Sequence, residues 1–344
     1  MEAVLTYLAD HWAMLLGSAA LGAGIGVLTG LFGAGGGFIL TPALHVFLGL
    51  PMPIAAGTSA GTVLGTSSLT LWRQFDRRFL GIRVAGCMGL GIPLGTFLGA
   101  RLVRMARDLG DADGRMTVFG QAVDATNWVL LSVFAVFLVL VAAWIMIDNF
   151  WLKGSREVNE RFHRGLLAGV RIPPVFRFRT IPVREFSGMV LVMLGVVMGT
   201  LSGLFGIGGG VVMMPALYYL VGQKTKYAVQ TDVMVIFASS LFATINHAAY
   251  GHVDVSVVVP LLLGGFFGTR VGYATRRAVS GLSIRRYFGF VVVLAVGIVA
   301  FRLYRMVRPP APAAPATRPA DRSGGPAATA SAPHDRGSPT SRPH

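Results

Sequence analysis

Apolar residues in this chain run in long blocks rather than alternating. Trp12 to Leu31 is the first block and is dense in small residues. Phe38 to Leu50 is shorter and closes at Pro51 and Pro53. Ile54 to Trp72, Leu80 to Ala100 and Trp128 to Phe150 complete a first set. Phe186 to Phe205, Val211 to Leu220, Ala228 to Tyr250, Val253 to Tyr273 and Ile284 to Val307 form a second. A helix needs about 20 apolar residues to cross a bilayer. Most blocks reach that length; Phe38 to Leu50 and Val211 to Leu220 do not. The pattern predicts an all-α polytopic membrane protein with eight to ten transmembrane segments.

The two sets are copies. Gly30-Leu31-Phe32-Gly33-Ala34-Gly35-Gly36-Gly37 leads to Pro42-Ala43-Leu44, and Gly203-Leu204-Phe205-Gly206-Ile207-Gly208-Gly209-Gly210 leads to Pro215-Ala216-Leu217. The copies start at 30 and 203, 173 residues apart. Gly264 to Arg270 echoes Gly95 to Arg101, so the duplication covers most of each half. The expected parts are a first transmembrane repeat at 1–150, a basic connector at 151–184, a second repeat at 185–307 and a tail at 308–344. If the short segments cross the membrane, each half has five spans and the repeats are inverted. If they are re-entrant, each half has four and the repeats are parallel. The arginines between 73 and 83 and between 276 and 286 can share the cytoplasm only in the first case, and inverted halves with Gly-interrupted helices are the reading adopted.

Composition agrees with a membrane protein. The chain is 53% hydrophobic and 13% charged, against about 25% charged in soluble domains. The net charge of +15 sits in loops, connector and tail, the distribution of cytoplasmic membrane loops, and does not point to nucleic acid. Glu2 and Asp10 precede the first block without Lys or Arg, unlike a signal peptide. Cys87 is the single cysteine, which excludes an intrachain disulfide and a multi-Cys metal site. No cofactor or metal is expected. The tail is rich in Pro, Ala, Ser and Arg and is expected to be disordered.

The glycine clusters carry the candidate chemistry. A P-loop needs Lys-Ser/Thr after the glycines; Phe38 and Val211 stand there. A Rossmann fingerprint needs a preceding strand, and here a membrane helix precedes. Glycine also serves helix packing, but packing needs one small residue per turn, and here there are three in a row. Consecutive glycines before a half-helix expose backbone N–H groups and the positive end of its dipole, which suit an anion. Interrupted segments at matching places in two halves point to a transporter's substrate site. The candidate substrate-binding residues are therefore Gly35, Gly36, Gly37, Gly208, Gly209 and Gly210, with Thr58, Ser59, Thr231 and Asp232 at the start of the following spans. Serine and threonine in membrane helices are commonly satisfied by their own carbonyls. Asp232 is an ionisable group inside a span, costly and functional by default; it could carry a coupling proton or pair with Lys224 or Lys226. His247 reads as structural. Arg101 and Arg270 either snorkel or draw anions.

The doubled glycine motif with its Pro-Ala-Leu, together with Gly57-Thr58-Ser59, resembles the TauE/SafE family, the sulfite-exporter-like transporters, over about residues 12 to 305. The resemblance implies a multi-pass permease of the inner, cytoplasmic membrane for small anions such as sulfite or organosulfonates. The second half departs from it, reading Gln230-Thr231-Asp232. The partners implied are a small anionic substrate, membrane lipid and, through Asp232, a proton. The competing readings are an intramembrane hydrolase using Ser239 or Ser240 with His247, and a non-transporting scaffold.

Overall fold

A computed structural model describes all residues except 1, 33–35, 75–80, 112–113, 119–120, 151–164, 171, 177–185, 224, 279–280 and 308–344. The expected disordered tail and most of the connector lie outside the described residues. So do Gly35 and Lys224.

Among the described residues ten α-helices form the bundle: α1 Glu2–Phe32, α2 Gly37–Phe47, α3 Met52–Gln74, α4 Ile82–Asp108, α5 Ala125–Phe150, α6 Gly188–Phe205, α7 Gly210–Pro215, α8 Thr225–Ala249, α9 Val255–Ala278 and α10 Gly281–Val307. A π turn, Ala216–Leu220, continues α7. Among the described residues two short antiparallel strand pairs join β1 Arg115–Val118 to β2 Gln121–Asp124 and β3 Val175–Phe176 to β4 Phe186–Ser187. Among the described residues seven helices are long and apolar enough to cross a membrane, starting with Trp12–Leu31. The Ser/Thr-rich α3 is not among them by composition, although it has 23 residues.

Glycine ladders hold the bundle together. Gly22, Gly26 and Gly30 of α1 face α9, and Gly264, Gly268 and Gly272 of α9 face α1. A Cβ at any of these six would meet the partner's backbone inside contact distance. Gly91, Gly95 and Gly99 of α4 engage Gly195, Gly199 and Gly203 of α6 in the same way. Four-residue spacing keeps each ladder on one helix face, and the missing side chains let the backbones close. Offset by the repeat, α1 corresponds to α6 and α4 to α9, so the two seams are equivalent.

The contacts also fix helix directions. Gly22 meets Leu261, Gly26 meets Gly265 and Gly30 meets Thr269, so α1 and α9 run the same way. Gly91 meets Val192 and Gly99 meets Thr200, so α4 and α6 agree. Along α3, Gly57 meets His252 and Gly65 meets Leu262, so α3 follows α9. Against α8 the order reverses: Gly57 meets His247 and Gly61 approaches Thr244. Gly81, the N-cap of α4, abuts Thr231, and Asn246 Nδ2 donates to Thr96 Oγ1 at 3.2 Å, so α4 and α8 run together. Helices α1, α3 and α9 thus point one way, and α4, α6 and α8 the other.

The largest apolar cluster closes around the second glycine motif. Phe205, the residue before Gly206, packs edge-on to Phe134 at 4.8 Å and stacks on Phe137 at 5.7 Å. Phe38, just after the first motif, is buried in the same cluster. Each break in the membrane helices is therefore flanked by a buried phenylalanine.

Candidate substrate site

The chain leaves α6 and turns sharply at Gly206, whose φ is 68°. Gly208 and Gly209 follow at 67° and 85°. Gly36, ahead of α2, sits at 60°. This left-handed region is open to glycine and costs other residues roughly 1–2 kcal/mol. The run of glycines is thus required by the turn as well as by space. At Gly206 a Cβ would run into the backbone of Ala56 on α3.

The two glycine motifs touch. A Cβ at Gly37 would lie 2.8 Å from the carbonyl oxygen of Ile207. Three buried hydroxyls bind the second loop from behind. Thr41 Oγ1 donates to Phe205 O at 2.7 Å, Ser59 Oγ to Gly206 O at 3.1 Å, and Ser239 Oγ to Gly208 O at 2.7 Å. Ser59 Oγ also lies 3.4 Å from Gly37 O, bridging both motifs. The carbonyls of this broken backbone are therefore satisfied inside the bundle, as lipid-depth backbone must be.

The sequence-expected residues separate into groups. Gly36, Gly37, Ser59, Gly208, Gly209 and Gly210 belong to, or flank, this meeting point, with Gly37 and Gly210 each opening a half-helix. Thr58 does not join them: its hydroxyl accepts from Asp254 N at 3.1 Å, at the head of α9. Thr231 accepts from Gln223 Nε2 at 3.0 Å beside Gly81, at the head of α4. With Gly57 beside His247 on the antiparallel pair, Thr58 and Thr231 stand roughly 24 Å apart along the axis at about 1.5 Å per residue. Asp232 is fully buried, and its Oδ1 has no hydrogen-bond partner. Its repeat equivalent is Ser59, which donates to two carbonyls; a carboxylate in that role has no proton to give.

Most other hydroxyls bond to their own helices. Thr62, Thr66, Ser67 and Ser68 do so on α3, and Ser240 and Thr244 on α8. His247 is buried, with Nε2 2.9 Å from Gly203 O, the first glycine of the second motif. Its Nδ1 has no partner. Ser239 and Ser240 hold carbonyls and His247 holds another, so no serine–histidine pair forms. Thr41, Ser202 and Gln223 were not singled out from sequence. Thr41 was legible as the hydroxyl residue inside the half-helix α2. Ser202, whose Oγ is buried without a partner, and Gln223, whose Oε1 is likewise unpaired, carry no pattern that marks them.

Comparison with known proteins places this geometry. The chain is 24% identical over 281 residues to the "Probable membrane transporter protein YunE" of Bacillus subtilis (strain 168), covering 80% of this chain and 93% of that protein. It is 27% identical over 287 residues to a "Probable membrane transporter protein" of Xylella fastidiosa (strain 9a5c), covering 81% and 92%. A third relative of the same description comes from Methanocaldococcus jannaschii, at 24% over 276 residues, 76% of this chain and 86% of the relative. No solved structure matches the chain. The family model described as Sulfite exporter TauE/SafE matches residues 18–299, a span that holds both glycine motifs and both ladders. The chain is therefore a multi-pass membrane transporter rather than an enzyme, and it belongs to the TauE/SafE sulfite exporter family.

Proposed function

We propose that this transporter carries small anions, of the sulfite or organosulfonate class, across the cytoplasmic membrane by alternating access at the meeting point of its two glycine motifs. One observation carries the reading: backbone breaks that are far apart in sequence come into contact, Gly37 against Ile207. Hydroxyls on α2, α3 and α8 tie back the loop carbonyls, which leaves the N–H side of the glycines to face an anion. Helix directions support inverted halves, because α1 and α6, α3 and α8, and α4 and α9 run oppositely. Such halves can exchange conformations and open the same site to either face.

Sidedness follows from charge. In this reading the ends of α3 and α9 and the starts of α4 and α6 share one face, which is cytoplasmic by the excess of Arg and Lys in the sequence between those helices. The 250–254 turn lies on the other, outer face. Asp232 is the coupling group: once it takes up a proton, its carboxyl can donate a hydrogen bond as the Ser59 hydroxyl does in the other half. The test is flux of sulfite and of an organosulfonate into vesicles containing the full chain. Gly36→Leu and Gly209→Leu should each abolish it; unchanged flux in folded variants would remove the site. The close fit of Gly37 on Ile207 is also what a non-transporting scaffold would keep, and absence of any anion flux in the unmodified chain would favour that reading.

A further inference from the structure

A cavity of about 430 Å³ opens beside the 250–254 turn, where α4 and α8 finish and α9 begins. The volume falls within the range of small-molecule sites. Arg104 and Arg107 reach it from α4, Thr126 from α5, and Tyr250 and His252 from the turn. The Arg104 guanidinium lies 4.6 Å from the centroid of the Tyr250 ring. That contact orients the planar fork while leaving its edge for a ligand. Asp124 also lines the cavity, but its Oδ1 accepts from Asn127 N at 2.7 Å and so caps α5.

Two contacts link the cavity's histidine to the second glycine motif. The rings of His252 and His247 are 5.8 Å apart. His247 is held on Gly203 O and retains an unpartnered Nδ1. Ser202, one residue earlier, has an unpartnered hydroxyl oxygen. Unsatisfied buried polar atoms are few in folded proteins and call for a ligand, water or function. Here two of them, His247 Nδ1 and Ser202 Oγ, belong to a residue bonded to Gly203 and to the residue just before it.

We propose that this cavity is an outer anion-binding vestibule, in which Arg104, Arg107 and His252 hold a small tetrahedral or pyramidal oxyanion before it passes along His247 and Ser202 to the glycine motif. Guanidinium forks match the paired oxygens of such an anion in bidentate fashion. The proposal rests on the anion-transport reading for its direction of travel, but the binding itself can be measured alone.

The probes are sodium sulfate and sodium sulfite, titrated by calorimetry into the detergent-solubilised full chain. The unmodified protein should bind both. R104Q and R107Q should each weaken binding about tenfold or more, the effect of losing one charge-assisted pair. R104K should be intermediate, and R115Q, on the exposed part of β1, should bind normally. No binding by the unmodified protein, or binding by R104Q and R107Q as tight as that of the unmodified protein, would overturn the proposal. Gly37→Leu separates the two readings: the vestibule predicts retained binding when flux stops. Arginine-dependent binding by a chain that moves no anion would sink the transport reading and keep the vestibule.

Discussion

Replacing Gly206 by alanine is the sharpest test of the broken helix. Two costs act together. The φ of 68° puts the residue in the left-handed region, at roughly 1–2 kcal/mol for an L side chain. The new Cβ also overlaps the carbonyl group of Ala56, with that carbon at 2.6 Å and its Cα at 2.9 Å. A main-chain neighbour in the second turn of α3 cannot swing aside as a side chain can. Overpacking of this kind costs about 1–3 kcal/mol, and moving α3 puts the Ser59–Gly206 hydrogen bond at risk. The expected loss is about 2–5 kcal/mol, the sum of the two ranges.

Two controls divide that figure. Gly209→Ala meets the same restriction, with φ 85°, but its nearest neighbours are 3.5 Å away or more; it should lose only about 1–2 kcal/mol. Gly24→Ala lies in α1 with nothing within 4 Å and should gain up to about 1 kcal/mol. Thermal unfolding in detergent, followed by tryptophan fluorescence, should rank the melting points Gly24→Ala, wild type, Gly209→Ala, Gly206→Ala. A Gly206→Ala protein as stable as Gly209→Ala would refute the argument from the α3 contact. One as stable as wild type would refute the turn as well.

Further outcomes follow from the same geometry. Gly95→Leu, which would drive a side chain into the backbone of α6 at Val196 and Gly199, should prevent stable assembly, while Gly86→Ala, with nothing within 4 Å, should not; yield of folded protein after size-exclusion chromatography decides. Asp232→Asn should preserve the fold and remove the dependence of anion flux on a proton gradient, measured in vesicles; gradient-driven flux equal to wild type would exclude Asp232 as the coupling group. Burial, and then Arg107, hold the His252 imidazole below the ordinary 6.5. His252 is therefore neutral at pH 7 and gains its charge only as pH falls through that lowered value. Arg104 and Arg107 on α4, Asp124 on β2, and His247 and Tyr250 around α8 face or adjoin it. Sulfate binding should strengthen as pH falls below the ordinary imidazole range and that proton is taken up, and His252→Gln should flatten this rise; an unchanged pH profile would exclude His252 from the vestibule.

Much of the fold is legible in the residues because lipid imposes a simple rule on length and apolarity. Trp12 to Leu31 reads as a span by that rule alone, and Gly91, Gly95 and Gly99 read as a packing face by their spacing. The segment from Arg101 to Asn127 shows the rule's limit. Its charges mark a loop, yet α4 runs on to Asp108 with Val103 and Ala106 buried at three-residue spacing. The β1–β2 hairpin then follows, with alternation too short to stand out. Composition separates lipid from water, but it does not see a helix that runs on past its apolar block to line a cavity.

The site divides the same way. The motifs are visible because the duplication repeats them, and their meeting is implied by the repeat. The fates of Thr58 and Thr231 are not. Aligned residues in two halves look like partners in a sequence, but the opposed directions of α3 and α8 carry them toward opposite ends of the bundle. Ser59 reads as a substrate hydroxyl, and in this conformation it donates to Gly206 O. Only a three-dimensional arrangement distinguishes a hydroxyl that meets a ligand from one that holds the loop that does.

Labelling of a cysteine at the junction of the two motifs probes the account most directly. In a Cys87→Ser background, Ile207→Cys would be exposed to a membrane-impermeant thiol reagent from each face of sealed vesicles, with and without an organosulfonate. Alternating access predicts slow labelling from both faces, which the anion suppresses. Labelling from neither face, or labelling indifferent to the anion, would contradict it.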